Sequence, residues 1–141
     1  MPLSINEIQE EIIDELSLFD DWMYKYEQII DYGKGLASMP EQHKIDQNLV
    51  KGCQSKVWLH AYMENNTLHF LADSDAIITK GLVGLLVRVL SGHSPADIAK
   101  ADLYFVEKIG LSEHLTPSRS NGFAGMISKM KTYAVAFSAN L

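Results

Sequence analysis

One stretch of the chain separates a part with helical periodicity from a part with strand-like composition: Leu49-Val50-Lys51-Gly52-Cys53-Gln54-Ser55-Lys56-Val57-Trp58-Leu59. It contains the single cysteine of the 141 residues, and a glycine stands directly before that cysteine. Glycine adopts backbone dihedrals that other residues avoid, so the sequence predicts a turn here that can move and that carries the thiol of Cys53. A lone cysteine is also often a small buried apolar residue, and that structural interpretation stays open at this point.

The residues after this stretch predict a β-hairpin. Residues 57–63 and 67–72 are rich in β-branched and aromatic side chains, and Glu64-Asn65-Asn66 between them is typical of a tight turn. Alternation predicts one covered face and one semi-polar face of the hairpin. A third strand could extend it.

Two helices are predicted before the cysteine. Ser4-Ile5-Asn6-Glu7 has the form of a capping box, and apolar residues at steps of three and four follow it. Asp20-Asp21 can cap a second helix over residues 22–32, which Gly33 would close. The short connection between them predicts a helical hairpin or one kinked element.

The most apolar stretch, residues 77–90, predicts a central core helix with Asp73-Ser74-Asp75 as N-cap candidates. It is too short and too interrupted to span a bilayer. Gly81 and Gly84 weaken a helix, so their presence predicts a close approach to another backbone, which we place at the sheet.

The C-terminal part predicts further helices. Ser94-Pro95 starts a short one, residues 116–122 have the composition of a polar loop, and a final amphipathic helix begins at Phe123. The fold class is therefore α+β, a small antiparallel sheet with helices packed on one face, in a single domain over residues 1–141.

Composition limits the function. A formal charge of -6 and a pI near 5.2 disfavour nucleic-acid binding, which needs clustered cations. Met1-Pro2-Leu3-Ser4 lacks a basic region and an apolar run, and a single cysteine forms no internal disulfide, so we expect a cytoplasmic protein without a membrane anchor.

One cysteine excludes a Cys-x-x-Cys redox pair and disfavours zinc or iron–sulfur ligation, so we expect no resident metal. Transfer of a group through a single thiolate fits well. Lys51 and Lys56 flank Cys53 and are predicted to lower its pKa, and Arg119 in the polar loop could bind an anion such as a persulfide or carboxylate. The alternative is a hydrolase or acyl-transfer enzyme that pairs Cys53 with one of five histidines, none of which stands in a telling pattern.

Four blocks of the sequence carry a resemblance to a known family: Phe19-Asp20-Asp21-Trp22-Met23-Tyr24-Lys25-Tyr26, Val50-Lys51-Gly52-Cys53-Gln54-Ser55-Lys56-Val57-Trp58, Asp73-Ser74-Asp75-Ala76 with Lys80-Gly81-Leu82, and Leu115-Thr116-Pro117-Ser118-Arg119-Ser120-Asn121-Gly122. In this order and at this separation they resemble the SufE family of sulfur acceptors. The resemblance covers nearly the whole chain.

The resemblance implies a partner, a pyridoxal-phosphate cysteine desulfurase of the SufS type, which this protein would stimulate. It implies that Cys53 accepts persulfide sulfur and that the sulfur passes to an iron–sulfur scaffold of the SufBCD type. The loop of the cysteine would be Lys51, Gly52, Gln54 and Ser55, with Arg119 a matched residue without an assigned role. The implied fold is that of IscU-type scaffolds, which use three cysteines, whereas this chain has one and should bind no cluster. Pyridoxal phosphate is expected only on the desulfurase partner. A CsdE-type acceptor for another desulfurase is an alternative, and a homodimer is possible.

Overall fold

A computed structural model describes residues 3–139. Its elements in chain order are α1 Ile5–Ser17, α2 Trp22–Lys34, two 3-10 turns at Glu41–His43 and Asp46–Asn48, β1 Val57–Glu64, β2 Thr67–Ser74, α3 Ile77–Leu90, α4 Pro95–Lys100, α5 Phe105–Lys108, α6 Leu111–His114 and α7 Pro117–Ala139. The α+β class with a small antiparallel sheet and packed helices is confirmed.

The sheet is the predicted hairpin. β1 and β2 pair antiparallel, from Val57 opposite Ser74 to Glu64 opposite Thr67. The turn residues Asn65 and Asn66 both have positive φ, 52° and 65°, which gives the backbone the twist that two-residue hairpins favour.

No third strand extends this hairpin within the described residues. Instead, one isolated bridge lies along each outer edge: Leu49 pairs with Trp58 beside β1, and His93 pairs with Leu68 beside β2. On the β1 side, the Val50 N–H donates to the carbonyl of Val57 at 2.8 Å. The segment before the cysteine is therefore attached to β1.

The central helix α3 packs between α2 and β2 and also contacts α1 and α7. Leu82, Leu85 and Val89 are fully buried along it, as their spacing predicts. Over residues 3–139, none of the helices combines the length and the apolar character needed to cross a membrane.

The glycines of α3 contact a helix, so the prediction that they face the sheet was wrong. A Cβ placed on Gly81 would lie 2.7 Å from the carbonyl carbon of Ile29 in α2 and closer still to its oxygen. Gly33 does not close α2, which continues to Lys34 with Gly35 as its C-cap. Gly33 is instead buried against the backbone of Gly81. Because glycine has no side chain, α2 and α3 can approach each other closely at these positions.

The start of α3 also differs from the prediction. Its N-cap is Ala76, which has no side chain that could cap the helix. The polar residues before it bind elsewhere: Ser74 Oγ accepts the N–H of Ala76 at 3.2 Å, and Asp75 Oδ1 accepts the N–H of Lys56 at 3.0 Å. The first turn of α3 is therefore left without a side-chain acceptor.

The predicted polar loop over residues 116–122 is helical instead. Thr116 Oγ1 accepts the N–H of Arg119 at 3.3 Å, and the Thr116 carbonyl accepts the N–H of Ser120 at 2.9 Å. Pro117 occupies the first helical position, where its missing N–H and restricted φ are tolerated. Ser94-Pro95 begins α4 in the same way, so the Thr-Pro pair was the signal for an earlier start of α7.

Candidate functional site

Cys53 lies in the turn that connects the β1-edge bridge to β1. Gly52 in this turn has φ +90°, a conformation that favours glycine, which agrees with the predicted role of that residue. The thiol packs on α7, where a Cβ placed on Gly122 would lie 2.9 Å from Cys53 Sγ. One turn further along α7, a Cβ on Gly125 would lie 2.6 Å from the carbonyl oxygen of Lys51. These two glycines of α7 form the seat of the cysteine loop.

A cavity of about 180 Å³ lies beside the thiol. Its walls are the loop itself, the first turn of α3 and the first turns of α7. Four of the residues that the sequence singles out line it together: Cys53, Gln54, Ser55 and Arg119. The fold thus brings Arg119 to the cysteine from a distant part of the chain.

Lys51 and Gly52 are exposed and do not line the cavity, and Lys56 is exposed as well. Sequence reasoning did not single out two of the lining residues, Thr79 and Gly122. Gly122 and Gly125 stand three apart on one face of α7, and that spacing was a signal for a close contact.

Burial raises the pKa of the Cys53 thiol, so the expectation that the flanking lysines lower it was wrong. The thiol is half-buried, whereas Lys51 and Lys56 extend into solvent, where water screens their charge. Within residues 3–139 Cys53 Sγ has no hydrogen-bond partner. Burial therefore disfavours the thiolate of Cys53 in this position and makes the residue a weaker nucleophile than an exposed cysteine.

No histidine of the described chain lines the Cys53 cavity or hydrogen-bonds to the thiol. The histidines have other neighbours: the rings of His43 and His60 stack 3.8 Å apart, His69 Nε2 lies 2.8 Å from Thr67 Oγ1, His93 Nε2 lies 2.9 Å from the Leu3 carbonyl, and His114 stacks on Trp22. A cysteine hydrolase would need such a base within hydrogen-bond reach of the thiol. The observed arrangement does not supply one.

The residues that could ligate a metal are dispersed. Between residues 3 and 139, no group of three or more His, Cys, Asp or Glu side chains is placed to hold an ion. A closed zinc site needs four ligands, and a catalytic zinc site needs three.

The contact between Gly122 and Cys53 supports a prediction about reactivity. In a Gly122→Ala variant, the new methyl group should push the thiol out of its seat, because the side chain of Cys53 can move more easily than the helix backbone. Exposure should remove the effect of burial on the pKa and open the thiol to the reagent, so iodoacetamide should then alkylate Cys53 several-fold faster at neutral pH. The rate is measured by intact-protein mass spectrometry.

Ala124→Ser is the matched control, since Ala124 is exposed on the same helix. Its alkylation rate should equal that of the unmodified protein. An unchanged rate in Gly122→Ala would show that the seat does not restrain the thiol.

The fold and the site together define a class of protein: a small α+β domain in which one half-buried thiol lies beside a cavity, with no histidine base at the thiol among residues 3–139. A family model described as "SufE: Fe-S metabolism associated domain" matches residues 10–134. The chain belongs to the SufE family.

Curated relatives agree with this assignment. An uncharacterized SufE-like protein of Synechocystis sp. is 41% identical over 126 residues, which cover 89% of this chain and 79% of that protein. The cysteine desulfuration protein SufE of Plasmodium falciparum is 41% identical over 84% of this chain, and this chain spans 49% of that longer protein. A SufE-like protein of Rhizobium meliloti is 38% identical over 89% of this chain and 93% of its own length.

A solved structure has the same fold. The solution structure of a hypothetical protein from Thermus thermophilus superposes with a TM-score of 0.76, covering 92% of this chain and 94% of that one. At 19% identity, this likeness concerns the fold alone.

Proposed function

We propose that this protein is a sulfur carrier that accepts persulfide sulfur onto Cys53 from a pyridoxal-phosphate cysteine desulfurase of the SufS type. The observation that carries the proposal is the placement of the only thiol of the chain on a turn beside a cavity, with no histidine base at the thiol among residues 3–139. Membership of the SufE family and the name of the Plasmodium relative, a cysteine desulfuration protein, support it.

The transfer is an exchange between sulfur atoms. The thiolate of Cys53 attacks the terminal sulfur of the persulfide on the desulfurase. A new S–S bond forms at Cys53, the S–S bond of the desulfurase persulfide breaks, and the desulfurase cysteine leaves as a thiolate. One S–S bond replaces another and the oxidation state of the transferred sulfur does not change, so the step needs no external oxidant or reductant.

Docking of the desulfurase would then control the reactivity of the Cys53 thiol. In its seat the thiol is half-buried and its pKa is raised, so it reacts slowly with competing electrophiles. A partner that draws the loop away from Gly122 and Gly125 would return the thiol to an ordinary pKa and bring it to the donor sulfur. Transfer to Cys53 would also remove the persulfide sulfur from the desulfurase cysteine, and clearing this product would stimulate the desulfurase.

Arg119 is proposed to take part as an anion-binding or partner-binding residue. It is exposed, it lines the cavity beside Cys53, and its guanidinium group can form charge-assisted hydrogen bonds to a carboxylate or sulfur anion. Gln54 and Ser55 line the same cavity, and with Lys51 and Gly52 they form the loop that would move.

The remaining partners follow from the same proposal. Sulfur would pass from Cys53 to an iron–sulfur scaffold of the SufBCD type in the cytoplasm, and this chain would carry neither metal nor pyridoxal phosphate. A CsdE-type role with a different desulfurase uses the same chemistry. A homodimer is compatible with either role.

The proposal is tested by mixing the purified chain with a cysteine desulfurase and cysteine, followed by intact-protein mass spectrometry and non-reducing peptide mapping. We expect one added sulfur on the peptide that contains Cys53, reversed by dithiothreitol and absent without the desulfurase. An unmodified Cys53 in the presence of an active cognate desulfurase would contradict the proposal. Turnover of an ester or amide substrate by the chain alone would favour the hydrolase instead.

A further inference from the structure

The first turn of α3 leaves backbone donors unpaired at the Cys53 cavity. The N–H groups of Ile77, Ile78 and Thr79 have no acceptor among residues 3–139, and the N-cap Ala76 offers no side-chain oxygen. All four residues line the cavity. Unpaired N–H groups at the start of a helix carry partial positive charge and attract anions.

A side chain in the same turn also lacks a partner. Thr79 is only 9% exposed, and its hydroxyl makes no hydrogen bond to any described residue. Every fully buried side-chain N or O atom in the described part of the chain has a hydrogen-bond partner. An unpaired Thr79 Oγ1 must therefore retain some accessible surface, and the space that Thr79 lines is the cavity beside Cys53. A hydroxyl that has no partner among the described residues and belongs to a residue lining this cavity is free to donate to a ligand that enters the cavity.

Without a persulfide sulfur, Cys53 does not pair with these donors, because its Sγ has no hydrogen-bond partner within the described residues. A second sulfur atom would extend the side chain by an S–S bond of about 2 Å. The cavity of about 180 Å³ has room for that atom. The terminal sulfur of a loaded side chain can therefore occupy the space that these donors line.

We propose that the cavity is a binding site for the terminal sulfur of the Cys53 persulfide in its anionic form, with Thr79 Oγ1–H and the first-turn N–H groups of α3 as hydrogen-bond donors. This inference rests on the proposed function and adds the residues that hold the cargo between the two partners. Since the donors contact only the second sulfur, the site stabilises the loaded carrier over the empty one. It also protects the sulfur from soluble thiols.

The test measures how long the persulfide survives when its hydroxyl donor is removed. Cys53 is loaded with sodium tetrasulfide, so that altered desulfurase docking cannot change the result, and its decay in dithiothreitol is followed by intact-protein mass spectrometry. Thr79→Val keeps the shape of the side chain and removes the hydroxyl, and its persulfide should decay about tenfold faster than that of the unmodified protein. Thr79→Ser should restore slow decay, and Thr132→Val, at an exposed threonine of α7, should decay at the normal rate.

Alkylation of the empty Cys53 distinguishes a donor from a structural role. The rate should be equal in Thr79→Val and the unmodified protein, because the empty thiol does not touch the donors. Equal persulfide decay in the two proteins, failure of Thr79→Ser to restore it, or rapid loss of the persulfide from the unmodified protein would each overturn the inference. Loading by tetrasulfide but not by an active desulfurase would contradict the proposed function alone.

Discussion

A Cys53→Ser variant is expected to accept no sulfur from the desulfurase and to retain its fold. The serine hydroxyl cannot form a persulfide, and the chain has no other thiol. The half-buried Sγ makes no hydrogen bond within residues 3–139, so its replacement should lower the melting temperature by only about 3 °C. Loading is read by intact-protein mass spectrometry, and folding is read by circular dichroism and thermal melting.

Stimulation of the desulfurase is the second measurement on this variant. We expect Cys53→Ser to lose it, because a protein that cannot take the sulfur cannot clear the persulfide from the enzyme. Ser128→Ala is the matched control, since Ser128 is exposed on α7 and does not line the Cys53 cavity, and the variant keeps the thiol. Full stimulation by Cys53→Ser would show that Cys53 is a structural residue of a binding module, and the sulfur-transfer proposal would fail.

Gly81→Ala should destabilise the fold far more than Cys53→Ser does. The added methyl group would lie 2.7 Å from the carbonyl carbon of Ile29 and closer to its oxygen, and neither helix backbone can move aside cheaply. Overpacking of this kind costs on the order of 3 kcal/mol, which exceeds the gain of about 1 kcal/mol in helix propensity. The melting temperature should fall by about 10 °C.

Gly35→Ala tests whether the contact, and not the loss of a glycine, causes this effect. Gly35 follows α2 with a negative φ, and a Cβ there would meet its nearest neighbour at an ordinary 3.5 Å. Its free energy of unfolding should change by less than about 1 kcal/mol. If Gly81→Ala melted within about 2 °C of Gly35→Ala, the close packing of α2 on α3 would not hold in solution.

Local rules predicted the elements whose causes are local. The capping box at Ser4 places the start of α1, the polar turn before Thr67 places the hairpin, and Ser94-Pro95 places the start of α4. In each case the deciding contacts join residues that are close in the chain. The start of α7 is set locally as well: Thr116-Pro117 begins the helix, although the polar composition of residues 116–122 predicts a loop.

The sequence by itself determined that Cys53 is the single thiol of the chain, and it determined the hairpin that follows this residue and most of the helices. The tertiary structure alone decided how the thiol is held. Burial raises its pKa in spite of two neighbouring lysines, and Gly122 of α7 forms its seat. Thr79 of α3 reaches the same cavity. These properties depend on distances between segments far apart in the chain, and neither periodicity nor spacing contains those distances.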